Sequence, residues 1–453
     1  MGDFPQRLSI QWLKNAYRSG EVTPFEVAEE IVRREELYRE YHVWIVPPTM
    51  ELMKPYLQAL PEDKEALPLW GIPFAIKDNI DLEGISTTAG CPDYAYLPRE
   101  SATVVKRLIQ AGAFPVGKTN MDQFATGLVG TRSPYGETWN ALNPELISGG
   151  SSSGSAVAVA LGMAAFSLGT DTAGSGRVPA LLNGLVGLKP AIGAWSTKGV
   201  VPACASLDCV TVFTDSLQDA RRVDQVERGV DRECCYSRDL PLQESERPKK
   251  ILLPEKEPEF YGSYGEIYRG KWKRALERID SLEIPVEYID STVFSQAAAI
   301  LYDGPWVAER WADLGNFVDS HQGSMFPVTE KVLRSAEGMR ADSVFQAMHR
   351  LACYKAKVRE MLSGNVLVMP TAGGTFTREQ VRKNPIETNT KMGFYTNHCN
   401  LLDLAAVALP EKKDDVQFPF GITMFTEFDQ ENILYGAARL FLDSKRCGKM
   451  QTQ

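Results

Sequence analysis

Two clusters of glycine and serine, Gly149-Gly-Ser-Ser-Ser-Gly-Ser155 and Thr170-Asp-Thr-Ala-Gly-Ser-Gly176, flank a nearly unbroken apolar run over residues 156–168. Linkers do not enclose a segment fit only for burial, so both clusters belong to a packed framework. Glycines let several backbone N–H groups converge on one point, as a developing oxyanion requires. Serines supply nucleophiles, or hydroxyls that relay a proton. Together these residues predict acyl transfer at a serine. A pair of tight turns packed for structural reasons is the competing reading, and it suits a single Gly-Ser turn better than two around a buried segment.

A serine needs a base. Gly150-Ser-Ser-Ser-Gly154 fits the GxSxG elbow, which makes Ser152 the nucleophile of an α/β-hydrolase. That arrangement wants a strand directly before the elbow, and an acid and a histidine after it. Asn143-Pro-Glu-Leu-Ile-Ser148 reads as loop, and His321, His349 and His398 stand in no telling context, with His398 reading as a core residue. Lys77 is the other candidate, placed directly after the apolar run of residues 69–76. Lysine is seldom fully buried unless it is paired or chemically used. Burial lowers its pKa from about 10.4, towards a neutral amine that accepts a proton. A lysine snorkelling at a strand edge is the plain alternative.

Several elements must position these groups. Thr23-Pro-Phe-Glu26 is a capping box with proline at the first helical position, predicting a helix that runs to about Tyr41. Residues 69–76 read as a buried strand ending on Lys77. Ser101 is the expected cap of a helix through Ala111, stopped by Gly112. Residues 113–116 read as a second strand and residues 121–127 as a short helix. The small residues after Ser152 predict a closely packed helix, and Phe166-Ser-Leu168 a strand leading into the second cluster. Further on, residues 291–314 and 329–362 carry helical patterns, while residues 365–369 read as a strand and residues 403–409 as a buried apolar segment. Gly112-Ala-Phe-Pro-Val-Gly-Lys-Thr119 matches GxxxxGK[ST], but its middle residues are the expected strand, so no phosphate loop is expected.

The 453 residues carry a net charge of −9, with 44% hydrophobic and 24% charged residues. This balance is that of a soluble globular protein and argues against a dedicated nucleic-acid or anionic-membrane surface. No apolar stretch approaches the roughly 18 residues of a membrane span, and the N-terminus lacks a secretory h-region. The eight cysteines show no CxxC pair, so neither a zinc nor a redox site is indicated. The expectation is a cytoplasmic chain without metal or cofactor. No compositional break marks a second domain, and a sheet with helices on both faces is the natural architecture.

Gly71-Ile-Pro-Phe-Ala-Ile-Lys-Asp-Asn79, Val116-Gly-Lys-Thr-Asn120, the Gly/Ser core, Gly184-Leu-Val-Gly-Leu-Lys-Pro190 and Ser206-Leu-Asp208 resemble the amidase signature family. The resemblance covers nearly the whole chain. It implies an α/β fold with a central mixed sheet, divided into an N-terminal helical segment (about 1–65), a signature core (about 66–215) and a recognition part (about 250–453), with no C-terminal accessory domain. It also implies Ser–cis-Ser–Lys chemistry, in which Lys77 is the base, Ser151 the relay serine after a cis Gly150–Ser151 bond, and Ser175 the nucleophile. The backbone N–H groups of Thr172, Ala173, Gly174 and Ser175 are then the oxyanion donors, with Asp171 and Arg177 holding their loop.

Within that family, residues 122–136, the Gly149–Ser155 and Thr172–Pro179 motifs, and Leu301-Tyr-Asp-Gly-Pro-Trp-Val-Ala-Glu-Arg310 look like the allophanate hydrolase group. Allophanate is urea carrying a carboxylate on one nitrogen, a small planar anion. The resemblance assigns its recognition to Tyr302, Arg310 and the backbone at Gly127, and a guanidinium suits a carboxylate bidentately. It further implies a homodimer and a functional link to a urea carboxylase or another allophanate-producing enzyme. Two departures are expected: many members carry a further C-terminal domain and none is expected here, and residues 410–421 lack the usual glycine-rich loop. The nearest rival is another amidase, such as the glutaminase subunit of a tRNA-dependent amidotransferase.

Overall fold

The structure is a computed structural model that describes residues 4–302, 304–411 and 417–444. Its strands are β1 (Trp44–Val46), β2 (Pro73–Lys77), β3 (Phe114–Thr119), β4 (Phe166–Asp171), β5 (Val186–Lys189), β6 (Cys209–Thr214), β7 (Lys250–Pro254), β8 (Val286–Ile289), β9 (Asn365–Pro370), β10 (Leu404–Pro410) and β11 (Gly421–Glu427). All eleven join one sheet, in the order β1-β3-β2-β4-β6-β5-β10-β11-β9-β7-β8. β2 runs parallel to β3 and β4, and β7 to β8 and β9, while the other neighbours are antiparallel. The sheet is therefore mixed, as expected. Strands β2 to β6 are buried at every residue. Successive side chains face opposite ways, so full burial means that both faces are covered.

The apolar run after the first Gly/Ser cluster forms the helix Ser153–Ala160, buried throughout, and then turns into β4. Small residues let it sit close: a Cβ added at Gly154 would lie 2.3 Å from the Val43 carbonyl oxygen and 2.7 Å from the Asn120 nitrogen. β4 pairs with β2 in parallel, with Ala75 opposite Ser167 and Ile76 opposite Leu168. The carboxyl ends of the two strands, with Lys77 and Thr170, therefore come out together. In open α/β sheets that is where ligands bind.

Several local expectations are corrected. The capping box at Thr23 and Glu26 is present, but its helix (Pro24–Leu37) stops short, and a separate tight turn holds Arg39–Tyr41. The strand before Lys77 starts at Pro73 rather than Leu69. Ser101 caps nothing: the helix Thr103–Gln110 has Ala102 at its N-cap, and Ser101 Oγ accepts the Glu83 N–H (2.9 Å). Residues 121–127 make only one tight turn, Gln123–Ala125, with Phe124 and Ala125 at φ of +49° and +52°. The cause is Asp122, whose carboxylate accepts the N–H groups of Val129 (3.2 Å), Gly130 (3.0 Å) and Arg132 (2.9 Å) and wraps the chain around itself. The helical pattern of residues 291–314 is divided between Thr292–Tyr302 and Val307–Ser320. That of residues 329–362 is divided between Pro327–Arg334 and Ala341–Leu362.

The phosphate-loop match falls on β3 itself. Lys118, fully buried, donates to Thr87 Oγ1 (2.8 Å) and lies 3.5 Å from Asp78, so it is committed to a structural pair.

Candidate active site

At the end of β2 the fully buried Lys77 donates Nζ to Ser151 Oγ (2.8 Å) and to Thr170 Oγ1 (2.7 Å). Burial pushes its pKa down to about 7, against the opposing pull of the Asp122, Asp208 and Asp171 carboxylates; Arg310 pushes the same way as burial. A lysine in this position shares its proton with water near neutrality, so its lone pair is available to a hydroxyl. The Gly150–Ser151 peptide bond is cis. Ser151 is held by its backbone as well, its carbonyl accepting the Asp122 N–H (3.0 Å).

The second cluster forms the loop after β4. The Asp171 carboxylate organises it, accepting the N–H groups of Gly174 (2.9 Å) and Gly176 (3.0 Å) and pairing with Arg177 through Nε (2.9 Å) and Nη2 (3.0 Å). Both partners are fully buried, and the pair holds the Asp171 carboxyl below and the Arg177 guanidinium above their usual ranges, against the desolvation that opposes each charge. Gly174 takes φ of +137°, a conformation open to glycine. Among the described residues the N–H groups of Thr172, Ala173 and Ser175 make no hydrogen bond. Ser175 sits within the loop at 4% exposure.

Asp208 ties this loop down from the other side. Its carboxylate accepts the Thr172 hydroxyl (2.5 Å) and the N–H groups of Ala203 (2.7 Å) and Cys204 (3.1 Å). Burial raises its pKa to about 6 despite these bonds and the nearby Arg310.

Residues 26–434 match the family model described as Amidase. The chain belongs to the amidase family. It is similar to the urea amidolyase of Saccharomyces cerevisiae, 41% identical over 435 residues, which covers 93% of this chain but 24% of that protein's length. The solved structure of the Kluyveromyces lactis allophanate hydrolase superposes with a TM-score of 0.89 at 37% identity, covering 96% of this chain and 72% of that one. A glutamyl-tRNA(Gln) amidotransferase subunit from Campylobacter concisus is 30% identical over 402 residues, covering 82% of this chain and 88% of that protein.

Of the residues singled out from sequence, this amidase puts one pair in direct contact and groups four others on one loop. Lys77 and Ser151 touch; Thr172, Ala173, Gly174 and Ser175 share one loop. Arg310, at 2% exposure on the helix Val307–Ser320, donates Nη1 to Thr126 Oγ1 (2.8 Å), beside Gly127. Gly127 is tightly packed, since an added Cβ would lie 2.6 Å from Asp122 Oδ2. Tyr302 ends the helix Thr292–Tyr302, and its side chain lies outside the described residues.

Ser152 is otherwise engaged. Its hydroxyl donates to the Thr170 carbonyl (3.1 Å) and accepts the Thr170 N–H (3.3 Å), bonds that tie the helix start to β4. His398 is buried between Phe294 and Phe425, and burial pushes its pKa down to about 3, so it stays neutral in the core as expected. Among the described residues no cluster of metal-ligating side chains occurs, and no helix is long and apolar enough to cross a membrane.

Sequence reasoning missed Asp122 and Thr170. Thr170 opens the second Gly/Ser cluster, two residues past the expected strand Phe166–Leu168, and only the parallel pairing of β4 with β2 brings its hydroxyl to Lys77. Asp122 carried no signal, because its partners are backbone groups.

Proposed function

We propose that this amidase hydrolyses allophanate, with Lys77 as base, Ser151 as proton relay and Ser175 as nucleophile. The observation that carries the chemistry is the 2.8 Å contact between buried Lys77 Nζ and Ser151 Oγ. In the neutral amine one contact reverses, so that the Ser151 hydroxyl points at the nitrogen lone pair. Ser175 Oγ attacks the terminal amide carbon as its proton passes to Ser151 and that of Ser151 to Lys77. The N–H groups of Thr172, Ala173 and Ser175 receive the oxyanion, while the Gly174 N–H is held by Asp171. One such donor is worth about 2.7–4 kcal/mol in the transition state. Ammonia leaves with a proton returned through Ser151, and water then releases the acyl group. Allophanate and water give N-carboxycarbamate and ammonia, and the former breaks down to carbon dioxide and ammonia.

The substrate assignment is supported by similarity to the K. lactis allophanate hydrolase and by a buried arginine beside the Gly127 loop. In this reading Arg310, Tyr302 and the Gly127 backbone hold the substrate carboxylate. A carboxylase acting on urea supplies the substrate, and the enzyme works in the cytoplasm as a homodimer.

Ammonia release from allophanate, biuret, malonamate and glutamine tests the assignment. Allophanate is expected to show the highest kcat/KM. Turnover of glutamine alone, and only with a partner protein, would instead support an amidotransferase role.

A further inference from the structure

The helix Val307–Ser320 carries Arg310, yet Trp306 at its N-cap supplies no side-chain cap. Its first turn is fixed by Glu309. Oε1 of Glu309 accepts the Ser206 N–H (2.8 Å) and Oε2 accepts the Ser206 hydroxyl (2.7 Å). The next residue, Arg310, donates to Thr126 (2.8 Å). Neighbouring residues on a helix are rotated by about 100°. The two clamps therefore grip the turn from different directions and set both its place and its rotation.

The far side of the Glu309 clamp is anchored too. Two residues beyond Ser206, Asp208 binds the Thr172 hydroxyl and the N–H groups of Ala203 and Cys204. Residues 203–208 thus form a strut between the helix of Arg310 and the loop of Ser175. We propose that Glu309 is a positioning residue for specificity, which through Ser206 sets Arg310 at the distance from the Thr172–Ser175 loop that a carboxylated amide spans. This rests on the reading of Arg310 as a carboxylate clamp. In allophanate one nitrogen separates the carboxylate from the scissile carbonyl, so the spacing leaves little slack. A misplacement of about 1 Å can cost on the order of 10²-fold.

The test compares wild type, Glu309→Ala and Glu309→Gln for kcat and KM with allophanate. Melting temperature and the rate of Ser175 labelling by a fluorophosphonate are measured alongside. Glutamine at position 309 keeps both contacts, its carbonyl accepting the Ser206 N–H and its amide donating to the Ser206 oxygen. Glu309→Ala is expected to raise KM about tenfold or more with kcat and labelling within about threefold, and Glu309→Gln to restore KM. An unchanged KM in Glu309→Ala, a matching loss of labelling, or a glutamine variant as impaired as alanine overturns the proposal. Wild type decides the underlying reading separately. If it ignores allophanate but hydrolyses malonamate, the same comparison on malonamate still judges Glu309; if it hydrolyses neither, both readings fall.

Discussion

Lys77 and Ser151 stand 74 residues apart in the chain and 2.8 Å apart in the fold. Two elements make that meeting. Strand β2 delivers the amine at its last residue, and the helix Ser153–Ala160, packed closely through Gly154, holds the turn before it against the same strand end. The amine arrives desolvated and the hydroxyl arrives with its backbone bonded to Asp122. The proposed base and relay are therefore in contact, while His398, the one buried histidine among the described residues, is committed to the core.

Ser175→Ala removes the proposed attacking oxygen and leaves the grip of Asp171 on Gly174 and Gly176 intact. The expected loss of turnover is on the order of 10⁵-fold or more, as for nucleophile removal in other serine hydrolases. Melting temperature is expected to hold, and phosphonate labelling to vanish. Full ammonia release by this variant would rule out Ser175 as nucleophile.

The folded-state pKa of Lys77, about 7 against 10.5 for the free side chain, predicts two pH effects. Activity should rise with pH through about 7 as the amine becomes neutral. Stability follows from linkage: between pH 7 and 10.5 the unfolded lysine carries a proton that the folded one does not. Unfolding takes up a proton across that window, so stability rises with pH there. The drop in pKa corresponds to something on the order of 5 kcal/mol. Lys77→Met abolishes the proton uptake, and denaturant unfolding at several pH values should lose the rise between pH 7 and 10. A slope like that of wild type would assign the uptake to another group.

Much of this geometry was legible before any fold was known, because it rests on residue types that are costly out of place. A lysine closing an apolar strand and serines among glycines around a buried segment are such signals. So is the capping box at Thr23, which acts over four residues. What stayed hidden depends on distant backbone. Residues 121–127 have helical composition, but Asp122 collects three N–H groups from residues 129–132 and forces Phe124 and Ala125 to positive φ. Ser101 is a good cap by type, yet Glu83 offers its N–H first. In each case a tertiary bond overrode a local preference, and nothing in the neighbouring residues announces it.

Arg177→Met tests the scaffold of the loop that carries the proposed nucleophile. It leaves the fully buried Asp171 carboxylate with two backbone N–H groups and no guanidinium partner, the charge of Lys189 acting on it without a hydrogen bond between them. Breaking one side of a buried pair costs about 3–5 kcal/mol. Denaturant unfolding should show a loss of that order, with activity falling because Gly174 and Gly176 lose a fixed acceptor. Asp171→Asn combined with Arg177→Met should be less destabilised than the single variant, since no buried charge is left unpaired. A single variant as stable as wild type would remove the pair from the account of the loop.

Arg310→Ala separates recognition from chemistry. A hydrogen bond to a charged group is worth about 1.5–3 kcal/mol, so loss of the proposed carboxylate contact should weaken kcat/KM for allophanate by roughly 10- to 100-fold. Biuret, in which a neutral amide replaces the carboxylate, should be affected far less. The same variant should move the pH profile. The positive charge of Arg310 helps to depress the pKa of Lys77, so its removal lets the amine hold its proton longer and shifts the rising limb of activity to higher pH. Rates for both substrates across pH 6 to 9 would show the two effects together. Equal losses on allophanate and biuret would argue that Arg310 serves the packing around Thr126 rather than the substrate carboxylate, and an unmoved pH profile would place its charge too far from Lys77 to act on it.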